Sequence, residues 1–360
     1  MRYSVLMKVL LLMLMQIVIA STAAAENIRV ALFENARSVS LRSPGGLLCD
    51  GISSRRCATS LTVRAEDGGG RIIRVQARKG SITVNGKAYR GTIEVKRKRN
   101  GHLLVINDLD LEDYLKGVVA AEVPSDWEME ALKAQSVAAR TYAMYQKRNS
   151  GRKPYHILAT VDSQMYLGKS SERERTTRAL QETIGQVVLY RGAVIQAFYH
   201  SSCGGHTEDA LLLWGIDAPY LKGVDCDCQQ ISKYGLWEKR FSRGAVVSAL
   251  RRDGFQLRDI SGIEIAALTP AGRVRSVVIH NANGATSIPA DMLRSALGNS
   301  QVPSIFFEPE LLDGEVVFSG RGLGHGVGLC QWGVKELARR GQGYRAILQH
   351  YYPGTTIGVL

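Results

Sequence analysis

Between Asn27 and Ile106 apolar and polar residues alternate in short runs, as in IRVALF, LTVRA, IIRVQA, SITVNGKAYRGTIEVKRK and HLLVIN. Alternation at a period of two marks strands with one buried face, and Asn85-Gly86 and Asn100-Gly101 supply turns. A β-rich N-terminal region is therefore expected over residues 26–106. The period then changes. Leu111, Leu115, Val118 and Val119 recur at helical spacing until Pro124 ends the element, so a short helix carries Glu122 at its end. Ser125-Asp126-Trp127-Glu128 reads as a capping box, with Glu128 at the third position of a long alanine-rich helix that runs to about Arg148. Glu122 is thus expected at a helix-to-helix corner.

Beyond Gly151 the pattern alternates without βαβ regularity: a turn around DSQMYLG, a helix from about Ser171 to Ile184, then the strands QVVLY and AVIQAFYHS. IEIAAL and VRSVVIH form a strand pair joined at Ala271-Gly272, followed by a helix begun at Pro289. The final helices are Val334 to Arg340 and Tyr344 to Tyr351, closed by Gly341 and by Pro353-Gly354. The fold class is α+β: the β-rich N-terminal region leads into a mixed helical and β domain over residues 107–360, with a small inserted lobe near 240–300.

Arg2 and Lys8 flank the start of an apolar run, Val9 to Ala20, that ends in Ala23-Ala24-Ala25. This is the pattern of a secretory signal peptide over residues 1–25, with cleavage after Ala25 expected and an uncleaved N-terminal anchor as the alternative. An extracytoplasmic location, periplasm or cell wall, follows. The net charge of +13 and pI near 9.5 favour polyanions, which outside the cytoplasm are wall polymers and anionic lipids rather than nucleic acid. Lys96 to Arg99 closes on Asn100-Gly101 and is better explained as a hairpin turn than as a nucleic-acid patch.

Five separated segments arrive in a telling order: Ala121-Glu122-Val123-Pro124, EALKAQSVAARTYA, AFYHSSCGGHTE, PYLKGV and GHGVGLCQWG. With these the chain resembles the stage II sporulation protein D family, which includes the amidase enhancers, from about Ile28 to the C-terminus. The resemblance implies a lytic transglycosylase acting on peptidoglycan strands already stripped of stem peptides, with Glu122 catalytic in a glycan groove. Such chemistry needs one carboxyl that first protonates the leaving glycosidic oxygen and then accepts the proton of the muramoyl C6 hydroxyl, closing a 1,6-anhydro ring. A hydrolase ordinarily needs a second carboxylate. Val119, Val123 and Trp127 are the apolar neighbours expected to raise the pKa of Glu122. The alternative is a non-catalytic glycan-binding module that activates a separate cell-wall amidase.

Further groove residues are expected. Arg140 offers a planar guanidinium to a substrate carboxylate or acetamido oxygen, with an internal salt bridge as the competing use. Gln164 and Tyr166, in DSQMYLG, offer the hydrogen bonds and flat apolar face that sugar binding uses, with a place in the core as the competing use of Tyr166. His325 and Gln331 lie on a glycine-dense stretch where positive φ and close approach to a ligand are allowed. No cofactor is expected for catalysis.

Six cysteines occur. Cys49 and Cys57 flank a short loop and suggest a local disulfide. Cys203 and His206, in C-G-G-H, with Cys226 and Cys228 have the residue types of a tetrahedral structural zinc site, with His200 as an alternative ligand. The competing use is a disulfide from Cys203 to Cys226 or Cys228. The resemblance favours metal, because some family members carry zinc near this position. Cys330, close to His325, invites a second alternative as the nucleophile of a wall peptidase or amidase.

Overall fold

A computed structural model describes residues 26–52, 56–67, 72–161, 163–282 and 284–360; side chains of residues 56 and 57 are not described. The leader expected over residues 1–25 lies outside the described residues. The fold is mixed α and β, with several sheets.

The alternating N-terminal runs form two sheets. Asn27–Ala36, Leu103–Asp110, Thr92–Arg97, Ile73–Ala77, Leu47–Asp50 and Arg56–Cys57 follow one another antiparallel across the larger sheet. Ile157–Leu158 adds to its other edge, parallel to Asn27–Ala36. Ser60–Arg64, Ser38–Arg42, Ile82–Val84 and Lys87–Tyr89 make the smaller sheet, with Asn85 and Gly86 both at positive φ in the predicted turn. Leu103–Asp110 is central and buried on both faces over most of its length, which explains its unbroken apolar run.

That strand runs straight into helix α1, Leu111–Glu122. Asp110 caps it by accepting from the Glu112 and Asp113 amides at 2.9 and 3.1 Å. Leu111, Leu115, Val118 and Val119 face the main core at full or nearly full burial, each contributing roughly 1.5–3 kcal/mol. Pro124 closes the helix, as its missing N–H and fixed φ require. The next helix, α2, spans Met129–Asn149 and begins later than the capping-box reading predicted: Glu128 caps it without a side-chain bond, and Pro124 to Trp127 form a turn. Packing overrides the local signal here, because the turn carries Trp127 into the core.

Five alanines of α2, Ala131, Ala134, Ala138, Ala139 and Ala143, are completely buried. Their small side chains let α1, α3 (Glu174–Glu182) and the strand Gln186–Tyr190 close around α2. Beyond that strand come α4 (Ala210–Trp214), α5 (Arg243–Arg252), α6 (Ala290–Leu297), α7 (Gln331–Arg339) and α8 (Tyr344–Tyr351); α7 and α8 also pack on α2. A separate apolar core gathers residues from Val246 to Phe318. It sits among α5, α6 and two three-stranded sheets, one of Trp237–Ser242, Glu315–Gly320 and Phe307–Leu312, the other of Gly262–Leu268, Val274–Asn281 and Gly284–Pro289. Gly320 leads out of this lobe into the glycine-dense arm, which pairs with the main body where Leu329–Cys330 lies parallel to Tyr199–His200.

Candidate functional site: a buried glutamate beside a four-cysteine cluster

Glu122 is the last residue of α1, and its carboxyl meets three chain segments. Oε1 accepts from the Met165 backbone N–H at 2.9 Å, and Oε2 accepts from the Gln331 amide at 3.2 Å. The Tyr199 hydroxyl also favours the ionised carboxyl. Burial outweighs these donors and pushes the Glu122 pKa above its ordinary value, because desolvation penalises the charged form. Among the groups acting on it there is neither a cation nor a second carboxylate within the described residues. The residue as a whole is half-buried.

Tyr199 is placed by an inner chain of hydrogen bonds. Gln164 Nε2 donates to the Tyr199 oxygen at 2.9 Å and to the Ala139 carbonyl at 3.2 Å, while Gln164 Oε1 accepts from the Tyr114 hydroxyl at 3.1 Å. Gln164 is thus fully buried behind the site. Tyr166 is buried too, donating to Asn107 Oδ1 at 3.0 Å and packing on Tyr114 with ring centroids 4.9 Å apart. His325 accepts from the Val327 N–H at Nδ1 (3.1 Å) and therefore donates from Nε2 to the Tyr199 carbonyl (3.0 Å). Burial lowers its pKa to about 4, so it is neutral at physiological pH. His325 holds the backbone of Tyr199, whereas Gln331 touches Glu122 directly.

Arg140 stands apart from this group. Its guanidinium is completely buried and clasps Glu112 bidentately at 2.6 and 2.8 Å, with further donation to the Gln186 and Leu180 carbonyls. The internal salt bridge, and not a substrate, occupies it. Two residues not anticipated from sequence join the site, Met165 through its backbone and Tyr199; Trp332, next to Gln331 in the chain, meets the Trp127 ring edge-on at 5.4 Å under the ammonium of Lys335. Tyr199 sits in the AFYHSSCGGHTE segment, on the short strand that pairs with Leu329–Cys330.

The cysteine expectations change in one member. Cys203, Cys226, Cys228 and Cys330 are free, buried, and bring their sulfurs within 4.8 Å of one another. His206 is not among them: its Nδ1 lies against the Thr207 carbonyl and its Nε2 is 3.8 Å from Asp225. His200 turns Nδ1 to the Val327 carbonyl and also lies outside the set. Cys330 takes the fourth place because the parallel pairing of His200 with Cys330 brings the arm onto this loop. Gly333 is required nearby, since a side chain there would collide with the Tyr351 hydroxyl and Cys226 sulfur. The residues fit a metal such as zinc: a tetrahedral tetrathiolate with Zn–S of about 2.3 Å needs sulfurs roughly 3.8 Å apart, and Cys203 and Cys228 stand at 3.4 Å. Four protein ligands leave no open position, which makes such a site structural.

Cys330 is unsuited to nucleophilic attack. It is fully buried, burial pushes its thiol pKa up, and its sulfur accepts from the Cys203 N–H at 3.3 Å. Cys49 is disulfide-bonded; its expected partner Cys57 has its side chain outside the described residues. No helix among the described residues is long and apolar enough to cross a membrane.

A family model described as "Stage II sporulation protein" matches residues 99–190, the segment that contains Glu122, and a "Domain of unknown function (DUF8618)" matches residues 221–328. The stage II sporulation protein D of Bacillus subtilis is 32% identical over 78% of this chain and 82% of its own length. That of Bacillus amyloliquefaciens is 33% identical over 70% of this chain and 75% of its own length. The chain belongs to the stage II sporulation protein D family. An uncharacterized protein of Brachyspira hyodysenteriae is 35% identical over 77% of this chain and 74% of its own length. The amidase enhancer of Bacillus subtilis is 29% identical over 77% of this chain, which spans only 45% of that relative.

Proposed function

We propose that this family member is a lytic transglycosylase that cleaves the bond between N-acetylmuramic acid and N-acetylglucosamine in peptidoglycan, preferentially in strands stripped of stem peptides. The observation that carries this reading is the Glu122 carboxyl, raised in pKa by burial and met only by neutral donors. In the protonated form it donates to the glycosidic oxygen as the bond to the muramoyl C1 breaks. The resulting carboxylate then accepts the proton of the muramoyl C6 hydroxyl as that oxygen bonds to C1, leaving a 1,6-anhydro end without any water consumed. No second carboxylate is among the groups acting on Glu122, which supports internal attack over hydrolysis. Gln331, the Met165 N–H and Tyr199 stabilise the carboxylate between the two proton transfers.

Zinc held by Cys203, Cys226, Cys228 and Cys330 would supply a rigid corner and no chemistry at the bond. The leader pattern supports work outside the cytoplasm, on the wall. A second reading, a non-catalytic glycan-binding activator of a cell-wall amidase, draws on the similarity to the amidase enhancer. Mass spectrometry of digests of denuded glycan strands separates them. Anhydro-muramoyl ends made by the wild type and not by Glu122→Gln support transglycosylation. Reducing ends indicate hydrolysis, and intact strands with amidase stimulation preserved in Glu122→Gln indicate the activator.

A further inference from the structure

Arg273 is among the largest side chains in the protein to be almost completely buried, at 2% exposure. It comes from the lobe, at the start of the strand Val274–Asn281, yet its guanidinium lies in the main body. Nη2 donates to the carbonyls of Cys203 (2.7 Å) and His206 (3.0 Å). Nη1 faces Glu208 Oε2 at 3.6 Å, too far for a hydrogen bond, and has no hydrogen-bond partner. Thr269 Oγ1 donates to the same Glu208 oxygen at 2.6 Å and accepts from the Arg273 N–H at 3.0 Å, so the lobe hairpin is pinned from both sides. Gly326 of the arm packs flat on the guanidinium; a Cβ there would stand 2.5 Å from it.

A buried cation with a spare donor is costly unless a negative charge answers it. Glu208 answers in part, but it is shared with Thr269 and with its neighbour's N–H. Four thiolates around a divalent ion retain negative charge that must likewise be offset when buried. Each group therefore lacks what the other has. We propose that Arg273 is the lobe's contribution to the cysteine metal site, offsetting the charge of the zinc-bound thiolates, so that metal binding and docking of the lobe strengthen each other. This assigns a task to the segment that matches a domain of unknown function, and it rests on the zinc reading of the cluster. Because Cys330 immediately precedes Gln331, the same coupling extends to the residue that touches Glu122.

The experiment is zinc affinity by competition with a chromogenic chelator in the full-length protein, kept reduced and anaerobic. Arg273→Met is expected to weaken zinc binding about 10- to 100-fold, the usual effect of losing a group that supports metal ligands. Arg273→Lys, which keeps the charge but not the paired carbonyl contacts, is expected to recover part of that loss. Affinity of Arg273→Met within twofold of wild type overturns the proposal. Should Arg273→Met fail to fold, hydrogen exchange on the wild type decides instead: adding zinc is expected to slow exchange in the hairpin Thr269–Val274, and unchanged exchange there overturns the proposal. A wild type that binds no zinc also overturns it, while leaving the Glu122 reading to be judged by its glycan products.

Discussion

Helix α1 carries a glutamate near each end, and the two live in opposite electrostatic worlds. Glu112 lies in the first turn, where the helix dipole favours a negative charge, and it is gripped by both arms of the buried Arg140. Glu122 closes the last turn, where the dipole disfavours that charge, and meets only neutral donors. The first arrangement is what stability asks of a carboxylate. The second costs stability, and it is the arrangement that the proposed giving and taking back of a proton requires.

Substitutions at the two ends should separate these roles. Glu122→Gln is expected to lower glycan cleavage by about 100- to 10,000-fold, the range of general acid–base contributions, with the fold and glycan binding kept; turnover and binding assays on denuded strands check it. At the other end, Glu112→Ala strands the buried Arg140 charge and should cost about 3–5 kcal/mol in chemical denaturation. If Glu112→Ala were as stable as wild type, or Glu122→Gln as active, the contrast would fail.

The pH dependence of stability gives a subtler distinction. The folded pKa of Glu122 lies above its unfolded value, so the native state binds the extra proton and stability falls as pH rises between the two. Glu122→Gln should therefore be more stable than wild type at neutral pH, with the difference vanishing below the ordinary glutamate range; denaturation curves at several pH values check this. The smallest effect is expected from Gln331→Leu. Losing its bond to the carboxylate should raise the Glu122 pKa further, because that bond favours the ionised form. The alkaline limb of the pH–rate profile should then move upward.

Much of this contrast was legible in the chain. The period-two runs, the helical spacing through Val119 and the stop at Pro124 fix the strand-to-helix delivery of Glu122, because local pattern and tertiary structure agree there. Which of its two uses Arg140 takes, and the fourth member of the cysteine cluster, were not legible for a common reason: each choice depends on a contact between distant segments. Arg140 meets Glu112 only when α1 and α2 pack, and Cys330 displaces His206 only when Leu329–Cys330 lies beside Tyr199–His200. Gln164 and Tyr166 carry groups suited to sugar binding, but burial turns those groups inward to support Tyr199 and the core. The false capping box at Ser125 shows a local signal losing to the burial of Trp127.

The central claim is that Glu122 is a proton donor held ready by its surroundings. Carbon-13 NMR titration of the side-chain carboxyls, with the Glu122 signal assigned by its disappearance in Glu122→Gln, measures this directly. The account predicts a midpoint clearly above the ordinary glutamate range; a midpoint within or below that range would contradict it.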